Sequence, residues 1–230
     1  MRTVFIHGAG CTDDVFAAQL DAFDDADAIV LPGRRGEATG PSTIAEFADA
    51  VERQLGARSA GDVVLCGHSM GGAIALELGL RDRGSVRGIV LIDSGAKLRV
   101  APALFESLER DFSAGARALA RMFFADPLPD RVEFATGVML EVGQAQTLRD
   151  FHACNAFDAS ERLGELRVPL LALTGKDDRL TPPKFAQFLA DRIPGASARI
   201  LEGAGHFAMV ERPDETNALI AAFVAETKHR

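Results

Sequence analysis

Val63-Val64-Leu65-Cys66-Gly67-His68-Ser69-Met70-Gly71-Gly72 passes from a β-branched apolar run straight into a helix-forming one, Ala73–Leu80. Between them lies G-x-S-x-G. A serine on so sharp a strand-to-helix turn projects its Oγ above the end of the strand, and the crowding there requires small residues two positions to either side, here Gly67 and Gly71. The helix beginning at Met70 aims its amide end at the same spot, which favours negative charge developing there. Ser69 therefore reads as a nucleophile, and the strand beneath it as part of a buried sheet.

Outward from this turn, short apolar runs alternate with helix-length amphipathic segments, the rhythm of βαβ units. Strands are expected at Thr3–Ile6, Ala28–Leu31, Val63–Cys66, Gly88–Ile92, Leu170–Thr174 and Ala198–Leu201. Runs without polar alternation suit strands covered on both faces, hence a parallel sheet. Thr43-Ile44-Ala45-Glu46 is a capping box opening a helix toward Leu55, Thr181-Pro182-Pro183 marks another helix start, and Pro213-Asp214-Glu215 opens the last helix. The rhythm breaks once. Between Asp93 and Val168 helical patterns (Ala103–Phe124, Arg131–Val142, Ala145–Phe157) follow one another without a strand. Such a stretch reads as an inserted helical cap, giving a core of residues 1–94 and 167–230 and a cap of 95–166.

Composition narrows the function. The chain has 230 residues, 25 Lys+Arg against 33 Asp+Glu and a net charge of -8, which argues against a partner held through nucleic-acid phosphates. No apolar stretch is long enough for a membrane span, and MRTVFIHG lacks the apolar region of a signal peptide. Cys11, Cys66 and Cys154 are odd in number and show no metal-ligand spacing, so reduced thiols, a cytoplasmic location and no structural metal are expected. Trp and Tyr are absent while Phe numbers 15, so an aromatic pocket has to be built from Phe.

A serine nucleophile needs a base, and the base an orienting carboxylate. His206, in the glycine-rich Glu202-Gly203-Ala204-Gly205-His206-Phe207 after the last strand, emerges at the same sheet edge as Ser69 and is the expected base. His68 flanks the serine but leaves the turn in another direction, His152 falls within the cap pattern, and His229 is in the tail. For the carboxylate, Asp177 and Asp178 follow the fifth strand and Asp93 ends the fourth; the chain order Ser69, Asp178, His206 is that of a nucleophile-elbow fold. Ile6-His7-Gly8-Ala9-Gly10-Cys11 ends the first strand in small residues whose amides can reach an oxyanion. Ala9 N–H with Met70 N–H would make a two-donor hole, and His7 would hold the loop by hydrogen bonds.

These residues resemble the α/β-hydrolase superfamily over nearly the whole chain: HGAG at 7–10, PGRRGE at 32–37, GHSMGG at 67–72, LID at 91–93, TGKDDRLTP at 174–182 and GAGHFAMVERPDE at 203–215. The resemblance implies Ser69 as nucleophile, His206 as base, Asp178 rather than Asp177 as acid, and Ala9 and Met70 as oxyanion donors. Two departures stand out. The H-G loop arrives at residue 7, so the sheet should lack the family's N-terminal strand pair and have about six strands, mostly or wholly parallel. Plant methylesterases and hydroxynitrile lyases are similarly short there, which keeps lyase chemistry open. Second, Pro32-Gly33-Arg34-Arg35 replaces the usual D-x-P-G-H-G; both arginines read as solvated loop residues, with a substrate carboxylate at the pocket rim as the alternative.

The expected activity is hydrolysis of a small apolar carboxylic ester, lactone or thioester through an acyl-enzyme on Ser69, with no cofactor or metal, by a monomer or homodimer. Phe124, Met139, Phe151 and Phe207 are the expected substrate contacts, although most cap aromatics should be core. A C–C hydrolase or lyase, or a receptor without turnover, are the alternatives, because fold does not fix function.

Overall fold

The computed structural model describes residues 1–57, 61–81 and 84–228, and in them the chain forms one sheet covered by helices on both faces. The strands are β1 (Arg2–Ile6), β2 (Ala26–Ile29), β3 (Val63–His68), β4 (Val86–Ile92), β5 (Leu170–Gly175) and β6 (Ser197–Leu201). Every pairing is parallel, in the order β2-β1-β3-β4-β5-β6. All six expected strands are present, shifted by at most two residues at an end. β3 is buried along its whole length, as are all but the first two residues of β4, which is why both read as unbroken apolar runs.

The helices are α1 (Ala17–Ala22), α2 (Ile44–Ala57), α3 (Met70–Leu80), α4 (Pro102–Arg110), α5 (Phe112–Met122), α6 (Pro129–Val142), α7 (Gln144–Ala156), α8 (Lys184–Arg192), α9 (Ala208–Glu211) and α10 (Pro213–Lys228). The capping box before α2 is formed: Glu46 N–H donates to Thr43 Oγ1 at 3.2 Å, and Thr43 N–H to Glu46 Oε2 at 3.1 Å. The single helix expected over Ala103–Phe124 is instead two. At Asp111 the backbone turns extended (φ -150°, ψ 98°), and its carboxylate accepts from Ala114 N–H at 3.0 Å, capping α5. A residue able to cap a new helix ended the old one.

Helices α4 to α7 all lie between β4 and β5, and this excursion contributes no strand to the sheet. Its two ends meet. Lys97 and Asp158 form an isolated antiparallel bridge and a salt bridge, and Ala159 N–H donates to Ala96 O at 2.8 Å. Register then sets the opposite edge. Ile6 lies beside Gly67, so the loop after β1 runs next to the turn after β3; Gly175 lies beside Leu201, so the loops after β5 and β6 are neighbours. Because β2 and β3 flank β1 on opposite sides, the β1/β3 edge is the topological switch point where open α/β sheets hold their ligands.

Candidate active site

The turn between β3 and α3 is as tight as its glycines imply. Ser69 sits at φ 51°, ψ -115°, a conformation a non-glycine residue adopts only under constraint. Its N–H is held by Ile92 O at 2.9 Å, and its carbonyl accepts from Ser94 Oγ at 2.7 Å. A Cβ on Gly67 would come within 2.2 Å of Gly71 O, and one on Gly71 within 2.0 Å of Ile6 O. The backbone approach that raises Ser69 therefore excludes any side chain at either position.

Ser69 Oγ lies 3.0 Å from His206 Nε2, and His206 Nδ1 lies 2.9 Å from Asp178 Oδ2. Asp178 is held in turn. Its Oδ1 accepts from the N–H groups of Leu180 (2.8 Å) and Thr181 (2.9 Å), and its Oδ2 accepts from Thr181 Oγ1 (2.6 Å). Burial pushes Asp178 toward protonation, but the charge and hydrogen bond of His206 and those of Thr181 outweigh it and hold the carboxylate well below its ordinary range. Burial likewise opposes the imidazolium of His206, and Asp178, with help from Asp93, raises its pKa above the usual value. Thr181, read from sequence only as a helix start, thus fixes the carboxylate; a hydroxyl three residues after an aspartate was the available signal.

The other acids and histidines have separate places. Asp177 is exposed. Asp93, fully buried with φ 48°, accepts from Gly175 N–H at Oδ1 (2.8 Å) and from Ala208 N–H at Oδ2 (3.0 Å), so it ties the loops carrying Asp178 and His206 together. Burial and the neighbouring Asp178 push it up to about 7. His68 donates from Nε2 to the His206 carbonyl at 2.8 Å, while its buried Nδ1 has no partner. Burial, reinforced by His206, lowers it to about 3, so it is a neutral ring. His152 is exposed and stacks on Phe105, with ring centres 4.4 Å apart. His229 lies outside the described residues.

The loop after β1 is clamped from below. His7 Nδ1–H donates to Gly8 O at 3.0 Å while its Nε2 accepts from Leu31 N–H at 3.2 Å, which fixes the tautomer. Among the described residues neither Ala9 N–H nor Met70 N–H has a protein acceptor. Ala9 borders the cavity over Ser69, and Met70 N–H is an orphan donor of the first turn of α3.

That cavity, about 310 Å³, is bounded on the sheet side by Ser69, His206 and Phe207 and on the other by α4, α5 and α7. Phe151 and Phe207 are on its wall. Phe124 and Met139, the other two expected substrate contacts, are not among its lining residues. Phe124 packs against Phe207 with ring centres 5.5 Å apart, and Met139, fully buried, wedges against Gly10. Phe123 takes the wall position instead, stacked on Phe207 at 4.6 Å. The three cysteines are buried thiols; burial pushes Cys11 up to about 12 and holds Cys66 and Cys154 above the usual range, so none is a ready thiolate nucleophile.

A sequence model of the α/β-hydrolase family matches residues 3–219. The chain belongs to the α/β-hydrolase family. Among curated relatives of this hydrolase fold, a RutD protein of Azorhizobium caulinodans, named for carbamate hydrolysis, is 32% identical over 212 residues, covering 84% of this chain and 78% of that one. A pimeloyl-[acyl-carrier protein] methyl ester esterase of Neisseria meningitidis serogroup B is 29% identical over 251 residues, covering 97% and 92%. The solved structure of a thermophilic esterase superposes with a TM-score of 0.87 at 27% identity, covering 98% of this chain and 90% of that one. Among the described residues the sheet has six strands, all parallel. No described helix is long and apolar enough to cross a membrane.

The sequence reading of Pro32-Gly33-Arg34-Arg35 needs correction at one residue. Arg35 is a surface side chain, paired with Asp13 at 2.8 Å. Arg34 is neither solvated nor at the pocket rim: it is fully buried and forms a two-pronged ion pair with Asp150 of α7. Two further donors of Arg34 go to Cys11 O (3.2 Å) and Pro32 O (2.9 Å).

Proposed function

We propose that this α/β-hydrolase cleaves small carboxylic esters, or close kin such as lactones and thioesters, through an acyl-enzyme on Ser69. His206 takes the Ser69 proton as Oγ attacks the carbonyl, and Asp178 fixes the imidazole tautomer and stabilises its charged form. The amides of Ala9 and Met70 receive the oxyanion. His206 then returns the proton to the leaving alcohol, and water activated by the same ring releases the acid. Helices α4 to α7 act as a roof over this machinery, the cap of residues 95–166 set on the core of 1–94 and 167–230.

The observation that carries the reading is the unbroken hydrogen-bond chain from Ser69 Oγ through His206 to Asp178, at 3.0 and 2.9 Å, at the floor of a largely apolar, partly open cavity. Two amides without protein acceptors beside that hydroxyl, and relatives named as ester-type hydrolases, support it. The cavity wall carries one cationic side chain at its mouth, Arg99, and no carboxylate, which favours neutral or anionic substrates over cationic ones. The test is covalent labelling with an organophosphonate together with turnover of p-nitrophenyl acetate. Label on Ser69, with both label and turnover lost in Ser69→Ala, is expected; label on another serine, or an active alanine variant, would sink the assignment.

A further inference from the structure

The loop proposed to hold the oxyanion is held by three clamps. The Gly8–Ala9 peptide is planar, so fixing its carbonyl by His7 Nδ1–H also sets the direction of its N–H, the proposed oxyanion donor. Gly10, at φ 60°, gives its N–H to Asp150 Oδ2 at 2.9 Å, fixing the next peptide. Cys11 O accepts from Arg34 Nε at 3.2 Å, fixing the one after Cys11. His7 belongs to the sheet edge, but Asp150 is on α7, in the helical excursion. The loop lies against that excursion closely: a Cβ on Gly10 would meet Met139 and Thr147 side chains at 3.2 Å.

We infer that the Arg34–Asp150 pair is a positioning device for the oxyanion loop, through which α7 holds the Ala9 amide in its working direction; this rests on the reading of Ala9 N–H as an oxyanion donor. Both side chains have no exposed surface. A buried ion pair contributes little net stability once its desolvation is counted, so stability alone is a weak reason for it. Its hydrogen bonds supply a better one. Asp150 accepts from Gly10 N–H, Arg34 and Gln146 Nε2 (2.8 Å), and Gln146 Oε1 in turn accepts from Gly40 N–H at 2.7 Å. The pair thus locks the loop after β1 and the loop after β2 to one turn of α7. Its neutral sum also matters, because an unpaired Asp150 carboxylate beside the oxyanion loop would repel the charge that the loop is there to receive. Arg34 and Asp150 touch no substrate; they act through the backbone of residues 8–11.

The decisive comparison uses the full chain and kcat per active site, titrated with the phosphonate, so that a merely misfolded fraction does not count. Arg34→Met combined with Asp150→Leu removes both charges at similar volume, a change that buried pairs tolerate in stability. It should lower kcat for p-nitrophenyl acetate roughly 10–10²-fold, short of the ~10²–10³ lost with a donor outright, and leave KM within about threefold. Amide hydrogen exchange should speed up at residues 8–11 and stay unchanged in β3. Arg34→Lys, which keeps a cation beside Asp150 but loses the two-pronged geometry and the Nε bond to Cys11 O, should lower kcat less than the double variant does. Should the double variant fail to fold, Asp150→Asn, which keeps every heavy-atom position, carries the same two readouts with a loss of about tenfold. Variants with parental kcat per site, or with unchanged protection at 8–11, overturn the inference. An inert parent enzyme instead overturns the hydrolase reading, and the inference with it.

Discussion

Helices α4 and α7 pack against each other over the same cavity, yet they are attached to the molecule in opposite ways. α4 buries one residue, Leu108, and offers the cavity Ala103, Leu104 and Ser107 from a half-exposed face. α7 buries Gln146, Thr147 and Asp150 beside Phe151, Ala153 and Cys154, an expensive polar face that is accepted because each charged or amide group on it is bonded to a loop of the sheet edge. The roof over the site is therefore part wall and part anchor. Sequence position does not distinguish the two; the chemistry of the buried face does.

The largest expected effect lies beneath both helices and sets the scale for them. Asp178→Asn should lower kcat by roughly 10³–10⁴ for small and bulky esters alike, because the tautomer of His206 is lost whatever occupies the cavity. Asp93→Asn should cost far less: both Asp93 oxygens are occupied by backbone N–H groups, so its amide would disturb the loops without touching the ring. The pH profile sharpens this. The proposed acylation needs neutral His206, so kcat/KM should fall on the acid side with a midpoint above the ordinary ~6.5 of histidine. The hydrogen bond and charge of Asp178, with the more distant charge of Asp93, raise that midpoint, while neighbouring His68 stays neutral. Removing the Asp178 charge should move the residual acid limb downward. An upward move would mean that Asp178 is not the group stabilising the imidazolium.

Next in size is the anchor. Asp150→Ala leaves the guanidinium of Arg34 buried without a counter-charge, a loss of about 3–5 kcal/mol by comparison with broken buried pairs. Urea unfolding followed by circular dichroism measures it. A destabilisation under about 1 kcal/mol would mean that water reaches Arg34, and the distinction between anchor and wall would weaken.

The wall should respond differently. Leu104→Ala or Ser107→Phe changes the shape of the cavity from a half-exposed helix face, so KM for a bulky aryl ester should shift by about 10-fold, the scale of a methylene or two in an apolar pocket. kcat for p-nitrophenyl acetate should stay within about twofold, because α4 holds no proposed oxyanion donor or triad member. Equal losses on both esters would show that α4 is an anchor as well.

How much of this was legible in the sequence depended on distance along the chain. The buried strands read directly, since parallel strands covered on both faces are apolar runs, and Gly67-x-Ser69-x-Gly71 announces its own crowding. His206 and a carboxylate from among Asp93, Asp177 and Asp178 could be expected at one edge because strand ends collect there, whereas the preference for Asp178 came from the family resemblance. Arg34 was not legible: its partner is 116 residues away on a cap helix, and no local pattern links the two. The break at Asp111 was hidden by continuous helical periodicity across Ala103–Phe124. Phe124 could not be told from Phe123, because which of two adjacent rings meets the cavity is a matter of helix-end geometry, and periodicity does not resolve it.

The smallest expected effect tests the same point on two adjacent residues. Arg34 and Arg35 are identical in type and consecutive, and nothing in Pro32-Gly33-Arg34-Arg35-Gly36 separates them by composition. The backbone does: Arg35 takes φ 52° between two glycines that are also positive (84° and 79°), which turns its side chain outward toward Asp13 while Arg34 points in toward Asp150. In water, with its charge screened and its long side chain immobilised only by surface carboxylates, Arg35 gains little from that pair. Arg35→Ala should leave the urea midpoint, kcat and KM unchanged within error, at low and at high salt. Arg34→Ala should fail on the first of these and, in the folded fraction, on the second. Were Arg35→Ala the more damaging of the two, the assignment of buried anchor and solvated neighbour would have to be exchanged, and the role given to α7 would go with it.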